Sequence, residues 1–223
     1  MDHPRAGQEN QEDEGRGEEG QTFEPPEFLQ GCIGRFVERG GDGDERGRLH
    51  GFQVLSDPEY ILEMARVYLE TSLVSALVTD RTDSASLYRR DLSRDWWQIQ
   101  RQRHELFVSA EVIAELSDPR YLNSMEALEW IKDVPLLSID IAVLGLARIL
   151  VRERVMPAPE AGDAMHVAVA CIHSIDFMLS WNVKHLANQN KVVHLHQVCL
   201  RAGLLPPRIV TPDLLWETFD DAQ

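Results

Sequence analysis

Four polar residues stand just after predicted strands or in the helices that follow them: Glu70, Glu115, Asp163 and Asn182. In an α/β protein with a parallel sheet, functional groups gather beyond the carboxyl ends of the strands, even when they are far apart in sequence. Three carboxylates and an amide oxygen suit Mg²⁺ or Mn²⁺. Such an ion would activate water and neutralise charge on a phosphodiester, while a carboxylate accepts the water's proton. The pattern therefore predicts metal-dependent hydrolysis.

Each of these residues also has an ordinary structural interpretation. A glutamate at the end of a strand, such as Glu70, is more often a solvated cap. Asp163 would favour a helix N-terminus through its charge, and Asn182 suits an ordinary turn. Glu111 and Glu115 lie four residues apart on one helix face, so one of the two can be plain surface charge. None of these residues is specific by itself.

The elements that must position these residues follow from apolar spacing and from helix breakers. Short β-rich runs predict strands, and apolar residues three and four apart predict helices. The alternation predicts an α/β fold, a three-layer α/β/α sandwich with a mainly parallel central sheet. The predicted strands are 65–70, 106–109, 135–139, 176–180 and 208–211, and the predicted helices are 73–77, 84–103, 112–116, 121–131, 141–152, 162–173 and 190–202, with a short one opened by Pro212.

Charge is distributed unevenly along the chain. The net charge is −15, and residues 1–50 contain 13 acidic and 6 basic side chains, a net of −7. An acidic, glycine-rich segment with few apolar residues cannot bury enough surface to order itself, so we predict a disordered extension over residues 1–60. Translation from Met64 is an alternative that a peptide from residues 1–60 in mass spectrometry would exclude. One domain over residues 65–217 and a tail over 218–223 complete the organisation.

Beyond residue 50 the chain is still acidic, with a net charge of −8. This balance argues against a module that grips nucleic-acid phosphate by charge alone. This argument does not apply to a metal-dependent nuclease, because the bound ion supplies the positive charge that interacts with the phosphate. Phosphoryl transfer of another kind lacks support, since the chain has no glycine-rich phosphate loop ending in Lys-Ser or Lys-Thr.

The cysteines, the first residues and the apolar stretches indicate where in the cell the protein is expected. Cys32, Cys171 and Cys199 show no spacing typical of a zinc site or a disulfide framework, and the last two are expected to be small buried side chains. The first residues do not resemble a signal peptide. The apolar stretch 136–151 is too short to cross a bilayer. We expect a cytoplasmic protein without a membrane segment.

Four segments occur in an order that resembles the PIN-domain ribonucleases, many of which are the toxins of bacterial toxin–antitoxin pairs, the VapC type. The resemblance covers roughly residues 66–217, and its last segment is the most distinctive. The segments are YLETS at 68–72, VSAEVIAEL at 108–116, DAMHVA at 163–168 and DFMLSWNVKHLAN at 176–188.

The resemblance implies a parallel sheet between helices and Mg²⁺- or Mn²⁺-dependent endonucleolytic cleavage of RNA. The family's first-strand aspartate falls on Glu70 and its last acidic position on Asn182, as in a branch with Glu in the first motif and Trp-Asn in the last. Ser72 matches a hydroxyl that orients the first acid. The implied catalytic and metal-binding residues are Glu70, Glu115, Asp163 and Asn182.

An antitoxin that covers the acidic pocket is the implied protein partner, RNA is the implied substrate, and we expect a homodimer. The alternative is a catalytically silent PIN domain that acts as a binding or scaffold module. Glu70 and Asn182 favour this alternative, because both depart from the common acidic pattern of the family.

Several histidines could approach the predicted site or lie away from it. His166 lies three residues after Asp163 on nearly the same helical face and could touch the site, although packing under the sheet is the commoner case. His194 and His196 alternate too closely for one helix face and are predicted on the surface.

A locally basic helix with two tryptophans offers a second candidate surface. Arginine and aromatic side chains suit RNA phosphates and unstacked bases, and a solvated face is an equally good interpretation. Trp96 is predicted in the core or at a dimer face, from its spacing with Leu87, Leu92 and Ile99. The basic residues are Arg89, Arg90, Arg94, Arg101 and Arg103.

Overall fold

A computed structural model describes residues 64–186 and 189–216. Within them, five strands form one all-parallel sheet in the order β3-β2-β1-β4-β5, which confirms the predicted α/β fold. The extension predicted for residues 1–60 and the tail predicted for residues 218–223 lie outside the described residues. The strands are β1 (Ala65–Leu69), β2 (His104–Ser109), β3 (Leu136–Leu137), β4 (Phe177–Leu179) and β5 (Arg208–Val210).

The helices form two groups. Helix α1 contacts α2, α3 and α4, whereas α5 packs along α6. Crossovers between parallel strands are right-handed. The helices that connect β1 to β2 and β2 to β3 therefore lie on one face of the sheet, and the helices that connect β3 to β4 lie on the other. The helices are α1 (Thr71–Leu77), α2 (Ser84–Ile99), α3 (Ala110–Leu116), α4 (Ser124–Ile131), α5 (Ile141–Arg152), α6 (Asp163–Ile172) and α7 (Gln189–Arg201), with 3₁₀ turns at Arg101–Arg103 and Pro212–Leu214.

Strand β1 is the centre of the sheet and pairs with β2 on one side and β4 on the other. Its residues Val67, Tyr68 and Leu69 are fully buried, the continuous pattern expected of a strand covered on both faces. The path of the chain reverses between β1 and β4, so a crevice opens there beyond the carboxyl ends of the strands. Glu70 and Ser180 directly follow these two strands and therefore flank the crevice.

The buried face of α2 differs from the predicted one. Trp96 is fully buried, as predicted for a core position, but Ile99 is 52% exposed. The helix ends at Ile99, and its inner stripe is formed by Ser93, Trp96, Trp97 and Gln100. This stripe has the i, i+3, i+4, i+7 spacing of a helix face, shifted from the Leu92 and Ile99 register.

Several predicted boundaries were wrong, and three of them have a structural reason. The helix predicted to reach residue 103 ends at Ile99 and is followed by the 3₁₀ turn. Strand β3 has two residues, because only Leu136 and Leu137 pair with β2 at the edge of the sheet. Helix α4 begins at Ser124 rather than at residue 121, since Tyr121 donates its N–H to Asp118 in a preceding turn.

Helix α5 has the predicted bounds, and its first residue is set by a capping side chain. Asp140 Oδ1 accepts the N–H groups of Ala142 and Val143, each at 3.0 Å. Aspartate is among the preferred capping types because it satisfies amides that the helix leaves free. Because the cap and the amides it accepts are two and three residues apart, the sequence alone can indicate this helix start.

The predicted burial of Cys171 and Cys199 and the predicted exposure of His194 and His196 are confirmed. Cys171 and Cys199 are buried, and their sulfur atoms lie 3.7 Å apart between α6 and α7. The contact with Cys199 and burial raise the pKa of Cys171. His194 and His196 are exposed. No helix of the described residues is long and apolar enough to cross a membrane.

Candidate active site

Glu70 is a buried carboxylate at the carboxyl end of β1, with 5% of its surface exposed. Its Oε2 atom accepts hydrogen bonds from Ser72 Oγ and, at 2.8 Å, from Ser180 Oγ. Both hydroxyls therefore hold one oxygen, and the other, Oε1, lies 4.0 Å from Nε2 of His166. Burial raises the pKa of Glu70, because a carboxylate is costly to desolvate.

Glu115 reaches the same place from the last turn of α3. Its Oε2 accepts a hydrogen bond from Thr71 Oγ1, and His166 Nε2 lies 3.0 Å away. Burial alone would raise the pKa of Glu115, but the hydrogen bonds from His166 and Thr71 lower it. Glu115 is thus held in its charged form.

His166 is buried against Tyr68 of β1 and also reaches the two carboxylates of the site. Burial lowers its pKa, but the hydrogen bond to Glu115 and the charge of Glu70 outweigh this and raise the pKa. Its other nitrogen, Nδ1, lies 2.8 Å from the hydroxyl of Tyr68, which in turn lies 2.7 Å from Ser109 Oγ. The imidazole is therefore anchored on both sides.

Helix α6 begins where it does because of a glycine. Gly162 has φ +81°, a conformation that glycine adopts most readily. A Cβ atom at this position would lie 3.5 Å from Glu115 Oε1. The Gly162 N–H donates to Glu111 Oε1 at 2.6 Å, so Glu111 ties α6 to α3 while Glu115 faces the site. The structure thus gives the two glutamates different roles, with the predicted Glu115 at the site.

Asp163 and Asn182 form a second pair beside this group. The Asn182 amide nitrogen donates to Asp163 Oδ1 at 2.9 Å, and its Oδ1 accepts the N–H of His185 at 3.3 Å. Burial raises the pKa of Asp163, against the lowering charges of His185 and His166. In this arrangement Asn182 orients Asp163 with its amide nitrogen and directs its oxygen to the backbone.

Among the described residues, one group of side chains could hold a metal ion. Glu70, Glu115 and His166 each offer one ligand atom, and these atoms all lie within 4.8 Å of one another. Two carboxylates and an imidazole are a donor set that divalent ions accept. The residues present therefore fit a divalent cation, and Asp163 adjoins them through its interaction with the Glu115 charge.

The site opens into a cavity of about 620 Å³. Its walls combine acidic groups with Arg81, Arg89 and Trp181. The guanidinium of Arg89 lies 5.8 Å from the centre of the Trp181 ring, and the Trp181 indole N–H donates to Ser93 Oγ at 2.8 Å. A cationic and an aromatic side chain therefore stand together at the wall of an acidic pocket.

The other arginines of the basic helix have local partners. Arg94 Nε donates to the Leu77 carbonyl at 2.7 Å, and Arg101 lies 4.9 Å above the Trp97 ring. Arg90 pairs with Asp91 at 3.1 Å. Of these side chains, Arg89 is the one that lines the cavity.

The structure gathers Glu70, Ser72, Glu115, Asp163 and Asn182 around one cavity. His166 joins them through Glu115, an arrangement that helical spacing from Asp163 only hinted at. Further residues were missed because single hydroxyls leave no pattern in a sequence. They are Tyr68, Thr71, Ser109 and Ser180, all hydrogen-bonded within the site.

No protein-family model matches the chain, and no curated protein matches it. Among solved structures, a chain in the crystal structure of FitAcB from Neisseria gonorrhoeae is similar to it. The two share 13% sequence identity with a TM-score of 0.40, over 67% of this chain and 99% of that one. The chemistry of the site accordingly stands on the geometry described above.

Proposed function

We propose that this protein is a metal-dependent endoribonuclease of the PIN type that hydrolyses RNA phosphodiester bonds. The observation that carries the proposal is the meeting of Glu70, Glu115 and His166 within 4.8 Å. They meet at the crevice between β1 and β4, where an open parallel sheet places its ligands. The motifs that resemble the family supply the choice of RNA as substrate.

In this proposal the side chains divide the work. Glu70 and Glu115 hold Mg²⁺ or Mn²⁺, and Ser72 keeps the Glu70 carboxylate in one orientation. A bound ion supplies positive charge against the phosphate and lowers the pKa of a water ligand. Asp163, whose carboxylate accepts a hydrogen bond from Asn182, accepts the proton of that water. Because Asn182 is neutral, the set has one charge fewer than four acids, so we expect weaker metal binding than four acids would give, strengthened when an RNA phosphate contributes.

Purified protein with Mn²⁺ is expected to cleave a structured RNA, and both EDTA and Asp163→Asn are expected to abolish cleavage. Asn keeps the shape of Asp163 but cannot accept a proton from water. Asp176→Asn is the matched control, since Asp176 Oδ2 accepts the Arg66 N–H at 2.8 Å, before β4 rather than after it. Gel analysis of end-labelled RNA measures the rates. Cleavage that persists in EDTA or in Asp163→Asn would contradict the proposed mechanism.

Arg89→Ala is expected to raise KM for RNA about fivefold with little change in kcat. Loss of one cationic contact next to an aromatic ring corresponds to roughly 1 kcal/mol. Arg90→Ala is the control, because Arg90 is the neighbour in sequence and pairs with Asp91. Steady-state cleavage at several RNA concentrations separates the two parameters. An unchanged KM would place RNA elsewhere.

A catalytically silent PIN domain that acts as a scaffold is the second candidate. The observation that favours it is the orientation of Asn182, whose amide nitrogen rather than its oxygen faces Asp163. Calorimetric titration with Mn²⁺ discriminates between the two, because a silent domain gives no heat that depends on Glu70 or Glu115. We extend the leading proposal to an antitoxin that covers the pocket and to a homodimer, which light scattering with and without the partner would test.

A further inference from the structure

We infer that His166 binds the metal ion through Nε2, which makes the site a mixed nitrogen and oxygen centre selective for first-row transition metals over Mg²⁺. This inference rests on the proposed metal-dependent function and adds the identity of one ligand and the class of ion. Neither the predicted acidic residues nor the position of the crevice in the sheet requires a histidine ligand, so the role of His166 is an additional assignment.

The spacing of the ligand atoms supports this assignment. Nε2 lies 3.0 Å from Glu115 Oε2 and 4.0 Å from Glu70 Oε1. Ligands at about 2.1 Å from an octahedral ion are roughly 3.0 Å apart when adjacent and about 4.2 Å apart when opposite. Both observed separations therefore fall in the range that two ligands of one ion occupy.

The hydrogen bonds of the Glu70 carboxylate also fit a role for this side chain as a metal ligand. Its Oε2 atom accepts from two serine hydroxyls, Ser72 and Ser180, so Oε1 is the oxygen turned towards His166. Two hydroxyls that hydrogen-bond to one oxygen orient the other, as hydrogen-bonding neighbours do for metal-binding carboxylates.

The imidazole also has a hydrogen-bonding partner on its other nitrogen. A histidine that binds metal through one nitrogen donates a hydrogen bond from the other, which fixes the ring and its tautomer. Here Nδ1 lies 2.8 Å from the Tyr68 hydroxyl, and that hydroxyl lies 2.7 Å from Ser109 Oγ. If Nδ1 donates to Tyr68 and Tyr68 donates to Ser109, both groups have a partner, and an ion bound at Nε2 would replace the proton that Nε2 shares with Glu115. Tyr68 is thus a positioning residue.

A nitrogen ligand changes which ions the site prefers. Mg²⁺ is held by oxygen ligands and keeps much of its water. Imidazole favours first-row transition metals, with affinity rising from Mn²⁺ to Co²⁺. We therefore expect Co²⁺ to bind more tightly than Mn²⁺, and Mn²⁺ at least about tenfold more tightly than Mg²⁺.

The test uses the purified chain loaded with Mn²⁺ and needs no RNA. Electron spin-echo envelope modulation of bound Mn²⁺ is expected to show one directly coordinated ¹⁴N nucleus. His166→Gln keeps a polar side chain of similar reach but removes the imidazole, so it should lose this coupling and reduce the Mn²⁺ over Mg²⁺ preference by about tenfold. Isothermal titration calorimetry with Mn²⁺, Co²⁺ and Mg²⁺ measures the preference.

His185→Gln is the matched control, because His185 is the other imidazole whose charge acts on Asp163. The ¹⁴N coupling should persist in this variant. Tyr68→Phe retains the ring and removes only the hydroxyl, so it should weaken Mn²⁺ binding about tenfold and alter the ¹⁴N coupling. It also serves as the second variant if His166→Gln fails to fold.

The outcomes separate this inference from the function on which it rests. Mn²⁺ that binds without ¹⁴N coupling, or with coupling that His185→Gln removes, overturns the role of His166 and leaves the carboxylate site standing. Protein that binds none of the three ions up to millimolar concentration overturns both. A Mg²⁺ affinity equal to that for Mn²⁺ overturns the selectivity.

Discussion

Glu115→Gln is expected to abolish metal-dependent cleavage, with a rate loss on the order of 10³-fold, and to leave the fold intact. The side chain sits where α3 meets α6 and accepts hydrogen bonds from Thr71 and His166. Gln preserves the shape and one accepting oxygen but removes the negative charge. A divalent ion then loses one of its two carboxylate ligands, so both affinity and rate fall.

Cleavage assays and Mn²⁺ calorimetry measure the two effects, and circular dichroism checks the fold. Glu111→Gln is the control on the same helix face one turn earlier. Its Oε1 accepts the Gly162 N–H, and the Gln carbonyl can do the same, so its rate should stay within about threefold of the unmodified protein. Equal losses in both variants would contradict the division of roles between the two glutamates.

Trp96→Ala is expected to lower the free energy of unfolding by about 3–5 kcal/mol, the usual cost of emptying a buried tryptophan site. Trp96 is fully buried and lies parallel to the His104 ring, with centroids 5.7 Å apart. Its indole N–H donates to the Leu215 carbonyl at 2.6 Å. The side chain therefore ties α2 to the start of β2 and to the C-terminal 3₁₀ turn.

Urea denaturation followed by circular dichroism gives the free energy of unfolding for each variant. Ile99→Ala is the control on the same helix, and because Ile99 is 52% exposed it should change stability by less than about 0.5 kcal/mol. Trp96→Phe should fall between the two, since it keeps most of the packing and loses the hydrogen bond to Leu215. A Trp96→Ala cost under 1 kcal/mol would contradict the core assignment.

Local patterns in the sequence determined the elements and their order. The bounds of α5 follow from apolar periodicity and the Asp140 cap, and β1 follows from a short apolar run that ends at Glu70. The burial of Cys171 and Cys199 follows from residue type. These features depend on residues within a few positions of one another, so the local sequence is enough to predict them.

The tertiary structure alone decided which side chains meet. His166 joins Glu115 because α6 packs against α3, where the Gly162 N–H donates to Glu111, a contact between segments about fifty residues apart. The same packing sends Glu111 to a backbone amide and Glu115 to the cavity, although the helix presents both on one face. The residues that surround the imidazole come from β1, β2, α3 and α6, and helical spacing within α6 carries no information about the other three.

The tertiary structure also decides how the predicted residues are grouped. From the sequence, the pattern indicated three acids and an amide oxygen. In the folded chain the close group is Glu70, Glu115 and His166, while Asn182 turns its amide nitrogen to Asp163. The direction of an amide and the partner of a buried imidazole are set by hydrogen bonds from distant segments, and such bonds exist only after the strands and helices have packed.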